Sequence, residues 1–386
     1  MGGAVNTSIL LVGCGNLGGV LLDALAREPG IRRLVVADRN VDGARQRAHL
    51  ARVSALTLGV APAMDVEALD VMDASAVASL AGRARPDIVL TTVTFQTWWL
   101  TSLLPPREAA AIEEARFGAW LPVHLAPTLA LVRALRDADY RGLILTAPYP
   151  DVVNCVLGRV GLAPTCGIGN LDEIEPKVRV LAAERLGVEA QDVSVTLVAH
   201  HALERYVYAG AEGEPPPHFL RVECRGRDVT SEVCARDLLF APWSLPPTRA
   251  WHGLTAASAV RLLRALRSET PVRVHAPAPH GLPGGYPVLA SRGGVRLAPI
   301  DGLSQDEAIR INEESHKWDG IERIDPDGTV VFSARDVDVL RRVLGYDGAR
   351  LAPADAEPRA RELVSRFREY ARRAGVDLDR ARGWSG

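Results

Sequence analysis

Lysine is nearly missing from this 386-residue sequence: of 45 basic residues only Lys177 and Lys317 are lysines, and the rest are arginines. Acidic and basic residues almost cancel, leaving a net charge of -2. No long-range positive field therefore draws the chain to nucleic acid or an anionic membrane, and there is no basic stripe or helix-turn-helix pattern. Cysteines are few and odd in number (Cys14, Cys155, Cys166, Cys224, Cys234) and form no C-x-x-C pair. That excludes a disulfide framework and a zinc knuckle, and the thiols read as reduced cysteines of a cytoplasmic protein. No run approaches the ~20 apolar residues that cross a bilayer, and residues 1–6 lack the basic start of a secretory signal. No internal repeat or low-complexity tract interrupts the chain. What remains is 47% hydrophobic and 24% charged, a globular balance, at a length that points to two domains.

The first part alternates apolar strands with helical patterns. Residues 8–13, 33–37, 67–71, 87–92 and 142–147 read as strands, and residues 16–27, 41–52, 74–81 and 121–138 as helices, with Asp73 able to cap the third of them. Strands that are apolar throughout and separated by helices predict a parallel sheet covered on both faces. After about residue 165 the rhythm changes. A helix at about 175–186, a strand at 192–199, a polar stretch with three prolines at 215–217, a helix at 258–268 and a charged helix at 357–373 follow. The expected division is a nucleotide-binding domain at 1–165 and a catalytic domain at 166–386, with residues from about 320 onward forming a helical extension.

The first strand runs into Gly13-Cys14-Gly15-Asn16-Leu17-Gly18, a G-x-G-x-x-G pattern that opens a helix. In that setting Gly13 permits the tight turn, Gly15 lets backbone approach a pyrophosphate, and Gly18 lets the helix pack on the strand; Asn16 and Leu17 begin the helix whose N-terminus faces the phosphates. Asp38 ends the second strand 20 residues after Gly18, where a carboxylate accepts bonds from the adenosine ribose and repels a 2′-phosphate. NAD is therefore the expected cofactor and NADP the less favoured one, with the adjacent Arg39 able to tolerate a phosphate. Thr92, Val93 and Ala147, at the ends of the fourth and fifth strands, fall where the same nucleotide would lie.

The middle of the chain carries a more specific pattern. Residues 144–161 read ILTAPYPDVVNCVLGRVG, residues 167–172 GIGNLD, and residues 177–188 KVRVLAAERLGV; His200-His201 follow a strand, and residues 285–289 and 293–300 read as late strands. This succession resembles the lactate and malate dehydrogenases over most of residues 8–315; residues 320–386 have no counterpart there. The resemblance implies a Rossmann doubly wound parallel sheet followed by an α+β lactate/malate-dehydrogenase-like C-terminal domain. It also implies hydride transfer with NAD on a small-molecule substrate, and a homodimer or homotetramer.

The resemblance further implies a catalytic histidine with a carboxylate on its far nitrogen. Counting from Arg179 places the histidine at His201; counting back from Val207 and Gly210 places it at His200. Asp172 is the natural orienting carboxylate, with a helix N-cap as its plainer role; two extra residues before Lys177 leave Glu173 and Glu175 as alternatives. The family's substrate-gripping arginine falls on Lys177 in one register, a point charge without a planar fork, and on Glu175 in the other, which would repel a carboxylate and welcome an amine. Arg116 lies near the family's loop arginine. The mobile loop reads TFQTWWL at 94–100, and Trp98 and Trp99 there suggest a larger or flatter substrate, a subunit contact, or simple packing on a helix. The expectation is a dehydrogenase or reductase for an unusual substrate. Two other readings stay open: a redox-neutral, metal-assisted glycosidase using Cys166 and His200 as ligands, and a non-catalytic NAD(H) sensor.

Overall fold

Isoleucine, leucine and valine dominate the first strand, and every residue of β1 (Thr7–Val12) is buried, as befits the centre of a sheet covered on both faces. The computed structural model describes residues 7–245 and 248–378. The chain continues through α1 (Asn16–Ala26), β2 (Ile31–Asp38), α2 (Val41–Thr57), β3 (Ala63–Ala68), α3 (Ala74–Ala84), β4 (Ile88–Thr91), α4 (Pro106–Glu113), α5 (Leu121–Asp137), β5 (Leu143–Thr146), α6 (Pro150–Arg159) and β6 (Cys166–Gly167). These strands form one parallel sheet in the order β3-β2-β1-β4-β5-β6. The order reverses between β1 and β4, and in such sheets the crevice at the carboxyl ends of those two strands is where ligands bind. Asp73 caps α3, accepting from the backbone N–H groups of Ser75 and Ala76 at 3.0 Å each.

The third strand lies earlier than its expected 67–71. β3 is an edge strand paired only with β2, so its apolar residues alternate (Met64, Val66) instead of running together, and Arg33 fastens it to Asp65 at 2.7 Å. The apolar Leu69 and Val71 belong to the turn that follows.

The second part places α7 (Leu171–Leu186) against an antiparallel sheet of β7 (Val193–Val198), β8 (Phe219–Cys224) and β9 (Arg227–Asp228). Two short helices, α8 (Glu204–Val207) and α9 (Ala235–Phe240), interrupt it. Then come α10 (His252–Leu266), a second antiparallel sheet of β10 (Val272–Pro277), β11 (Gly285–Ser291) and β12 (Gly294–Leu297), and α11 (Gln305–Ser315). A one-turn segment, His316–Asp319, leads into the tail: β13 (Ile321–Ile324), β14 (Val330–Phe332), α12 (Ala334–Leu344), β15 (Arg350–Leu351) and α13 (Ala356–Arg373). The tail packs on the first half. Phe367 of α13 is fully buried and meets Trp120 edge-to-face at the start of α5, with ring centroids 5.3 Å apart. That packing explains one departure from the sequence reading: residues 117–137 form the one stretch, among the described residues, long and apolar enough to cross a membrane, and 83% of its most apolar window is buried inside the molecule.

Candidate functional site

The turn and the helix packing of the glycine loop have the geometry that its spacing implied. Gly13 holds φ at +94°, a conformation that favours glycine, and its N–H donates to the Ala37 carbonyl at 2.8 Å. A side chain at Gly18 would collide with the Gly13 carbonyl, so α1 packs on β1 only without one. A Cβ on Gly15 would meet nothing within 4 Å. The backbone there borders open space, and the N-terminus of α1 points its unpaired N–H groups into it. Asp38 secures the loop from the side, accepting from the Cys14 N–H at 2.6 Å and the Asn40 N–H at 2.8 Å.

That open space is one end of a cavity of about 750 Å³. Gly13, Gly15, Asn16, Leu17, Gly18, Asp38, Arg39, Thr92, Val93 and Ala147 all line it, as do Trp98 and Trp99. Its other end is closed by Phe117, His124, Tyr149, His201, Glu204 and Trp251.

The structure separates the two histidines. His201 lies in the cavity and is 19% exposed to it, with Nδ1 against Asp319 Oδ2 at 3.2 Å and Nε2 3.9 Å from Glu204 Oε2. Asp319 is 1% exposed, and the same Oδ2 accepts from the Tyr149 hydroxyl at 2.8 Å. Burial alone would discharge the imidazole, but the Asp319 carboxylate and its hydrogen bond, helped by Glu204 and Asp151, lift His201 to about 10. Burial likewise opposes charge on Asp319, yet His201, His200 and the tyrosine hydroxyl hold it well below the usual carboxylate range. The Phe117 and Tyr149 rings brace the imidazole with centroids 5.0 and 5.4 Å away.

His200 is fully buried and outside the cavity. Its Nδ1 accepts from the Ala202 N–H and its Nε2 meets His316 Nδ1, both at 3.2 Å. Burial pushes it down to about 3, so it is a neutral link in the core. Cys166, buried in β6, does not reach the cavity either, so the pair that a metal-assisted glycosidase would need does not border this space.

Four other expectations need correction. Asp172 is not the partner of the histidine: its carboxylate takes the Arg261 guanidinium at 2.8 Å, which also holds Glu175 at 2.8 Å. Both acids therefore face α10 and not the cavity. With His275 they would make a three-ligand metal cluster, but the guanidinium already lies between the carboxylates. Lys177 is buried beneath α8 and α9, donating to the carbonyls of Val207 at 3.0 Å and Leu239 at 2.9 Å; burial brings it down to about 8. Arg116 reaches the tail instead of the cavity: its guanidinium grips Asp336 at 2.6 Å and Ser333 at 2.8 Å, and it also bonds the Lys317 carbonyl. Of the four acids on α7, only Glu173 lines the cavity.

Asp319, Tyr149 and His124 join the site without any signal in the local sequence. Asp319 is 118 residues from His201 and sits at the head of the tail, so no local spacing links the two. Tyr149 lies inside the APYP segment, 170 residues from the Asp319 carboxylate that its hydroxyl meets, so no local spacing marks it either.

No family model and no curated protein matches the sequence. Solved structures do match in fold. Malate dehydrogenase of Cryptosporidium parvum is 14% identical, with 82% of this chain and 97% of that chain covered at a TM-score of 0.57. Lactate dehydrogenase of Eimeria maxima, solved with NADH and oxamate, is 14% identical over 81% of this chain and 91% of that one, at 0.54. Lactate dehydrogenase of Cryptosporidium parvum, solved with lactic acid and nicotinamide adenine dinucleotide, is 15% identical over 81% and 96%, at 0.52. This chain has the lactate/malate-dehydrogenase fold.

Proposed function

We propose that the chain is an NAD-dependent oxidoreductase that moves hydride to or from a C–OH/C=O or C–N/C=N centre, with His201 as its acid and base. One observation carries this reading. The free nitrogen of His201 opens into the same cavity that the glycine loop and Asp38 line, while its other nitrogen is fixed by the buried Asp319.

The loop fits a dinucleotide. Gly15 leaves a cradle that any side chain would fill, the N–H groups at the start of α1 suit a pyrophosphate, and Asp38 suits a ribose without a 2′-phosphate. A bound nicotinamide supplies the two-electron step by accepting or returning hydride at its C4. This chain's residues handle the proton. In the oxidising direction His201 Nε2 takes the proton from the substrate hydroxyl or amine as its C–H bond breaks; in the reducing direction it gives that proton back. Asp319 keeps Nδ1 as the donor towards itself and so aims Nε2 at the substrate. With its pKa near 10, His201 is an imidazolium at neutral pH and stands ready as a proton donor. Trp98, Trp99 and Trp251 leave room for a substrate with an apolar body beside the reacting carbon.

The test uses His201→Asn. The variant is expected to keep NADH binding and lose turnover in a screen against 2-keto acids, amino ketones and polyols. Retained turnover would move the proton chemistry to another group.

A further inference from the structure

The substrate end of the cavity is acidic, and its two bordering acids share one imidazolium, His201, which Asp319 already holds. Glu173, in the first turn of α7, lines the cavity and is 6% exposed. Its charged neighbours are Glu204, Asp172 and His201, with the Thr255 hydroxyl also within bonding reach. Glu204, at the start of α8, borders the same space, and its Oε1 is buried without a hydrogen-bond partner. Its Oε2 lies 3.9 Å from the nitrogen of His201 that faces substrate, so a group bonded to that nitrogen rests against Glu204. Below them Asp151 is fully buried, with Oδ2 on Asn170 and Oδ1 unpartnered.

The basic groups lining this end are His201, already on Asp319, Arg205, which is exposed at the rim, and the imidazoles of His124 and His252, which burial pushes towards the neutral form. Arg39 belongs to the nucleotide end beside Asp38. Burial and mutual repulsion raise Glu173 to about 8, and burial raises Glu204. A carboxylate ligand placed here would add a further buried negative charge, which is strongly unfavourable. An ammonium group would instead favour the charged form of these acids and pair with it. The walls are aromatic: the Tyr208 and Trp251 rings meet edge-to-face with centroids 5.0 Å apart, and Lys177 Nζ already lies 5.2 Å from the Tyr208 centroid, as aromatic faces attract cations.

We propose, resting on the reading of this cavity as a hydride-transfer site, that the substrate carries a protonated amine close to the reacting carbon and that Glu173 and Glu204 bind it. Substrate class is thereby the reverse of a hydroxy acid: the site selects for positive charge where lactate and malate carry negative charge.

Calorimetric titration of the purified protein, with and without NADH, tests this with three probes matched in shape: 2-phenylethylamine, 2-phenylethanol and 3-phenylpropionate. The amine is expected to bind at least about tenfold more tightly than the other two. Glu173→Gln and Glu204→Gln, each isosteric, are expected to weaken the amine by at least about tenfold while leaving NADH affinity unchanged. Tighter binding of the acid, absence of measurable amine binding, or unaltered amine affinity in both variants would overturn the proposal. Failure of the unmodified protein to bind NADH, with amine selectivity intact, would instead defeat the cofactor reading alone.

Discussion

Replacing Asp319 by Asn tests the pairing that aims His201. The carboxylate oxygen is 3.2 Å from Nδ1 and the acid is 1% exposed, so its charge acts on the imidazolium through little water. An opposite charge at such a distance shifts a pKa by about 1–3 units. The variant should therefore titrate about two units or more below the value near 10 of the unmodified protein, a loss of about 3 kcal/mol in preference for the imidazolium at about 1.4 kcal/mol per unit. Stability should follow. A histidine whose folded pKa is raised contributes fully below its unfolded value near 6.5, and that contribution drains away as pH rises through about 10. In Asp319→Asn this declining limb should flatten, and stability at pH 7 should fall by about 3 kcal/mol, the low end for a broken buried pair because the amide oxygen can still accept from Tyr149. Labelled-histidine NMR across pH 5–11, assigned with His201→Asn, reads the midpoint directly, and urea unfolding reads the stability. An unchanged midpoint in the variant would show that Asp319 does not hold the His201 proton.

Other consequences are separable. Gly15→Ala should fold normally, because its Cβ meets nothing, yet weaken NADH by at least about tenfold; Gly18→Ala should destabilise the fold itself, read as a lower Tm, because it strikes the Gly13 carbonyl. Asp38→Ser should shift the ratio of NADH to NADPH affinity towards NADPH in fluorescence titrations, since it removes the charge that repels a 2′-phosphate. Arg116→Ala should cost about 2–3 kcal/mol in urea unfolding, because it strands the 1%-exposed Asp336; the partial exposure of Arg116 keeps the loss below that of a fully buried pair. A substrate found by screening should be oxidised faster as pH rises from 7 towards 10, where His201 becomes neutral, and its product reduced faster below that range; a flat profile in both directions would count against His201.

The parts of the site that sequence made legible are the parts built from neighbours in sequence. A strand, a glycine turn and a helix start are contiguous, so Gly13 to Gly18 announce their geometry by spacing, and Asp38 follows one helix and one strand later. The His201 end of the cavity is assembled from three distant segments. His201 follows β7, Tyr149 precedes α6, and Asp319 enters from the tail, which packs through α13 against α5. Helix phase accounts for the misplaced acids. Asp172, Glu175 and Arg179 are spaced i, i+3, i+7 and share the face towards Arg261 and His275, whereas Glu173 and Lys177, spaced i, i+4, share another. Counting register along the sequence fixes position on the helix only if its first residue is known, and α7 begins at Leu171, four residues before the expected start. Lys177 then turns under α8 and α9, where helix-end carbonyls take its charge.

The cavity running from Gly15 to His201 is proposed to hold a reduced nicotinamide dinucleotide. Trp98, Trp99 and Trp251 line that cavity, so energy transfer from tryptophan to bound NADH reports on it directly. Titration of the purified protein with NADH is predicted to give a saturable transfer signal in the micromolar range, weakened by Gly15→Ala. The absence of a saturable signal with both NADH and NADPH would contradict the claim.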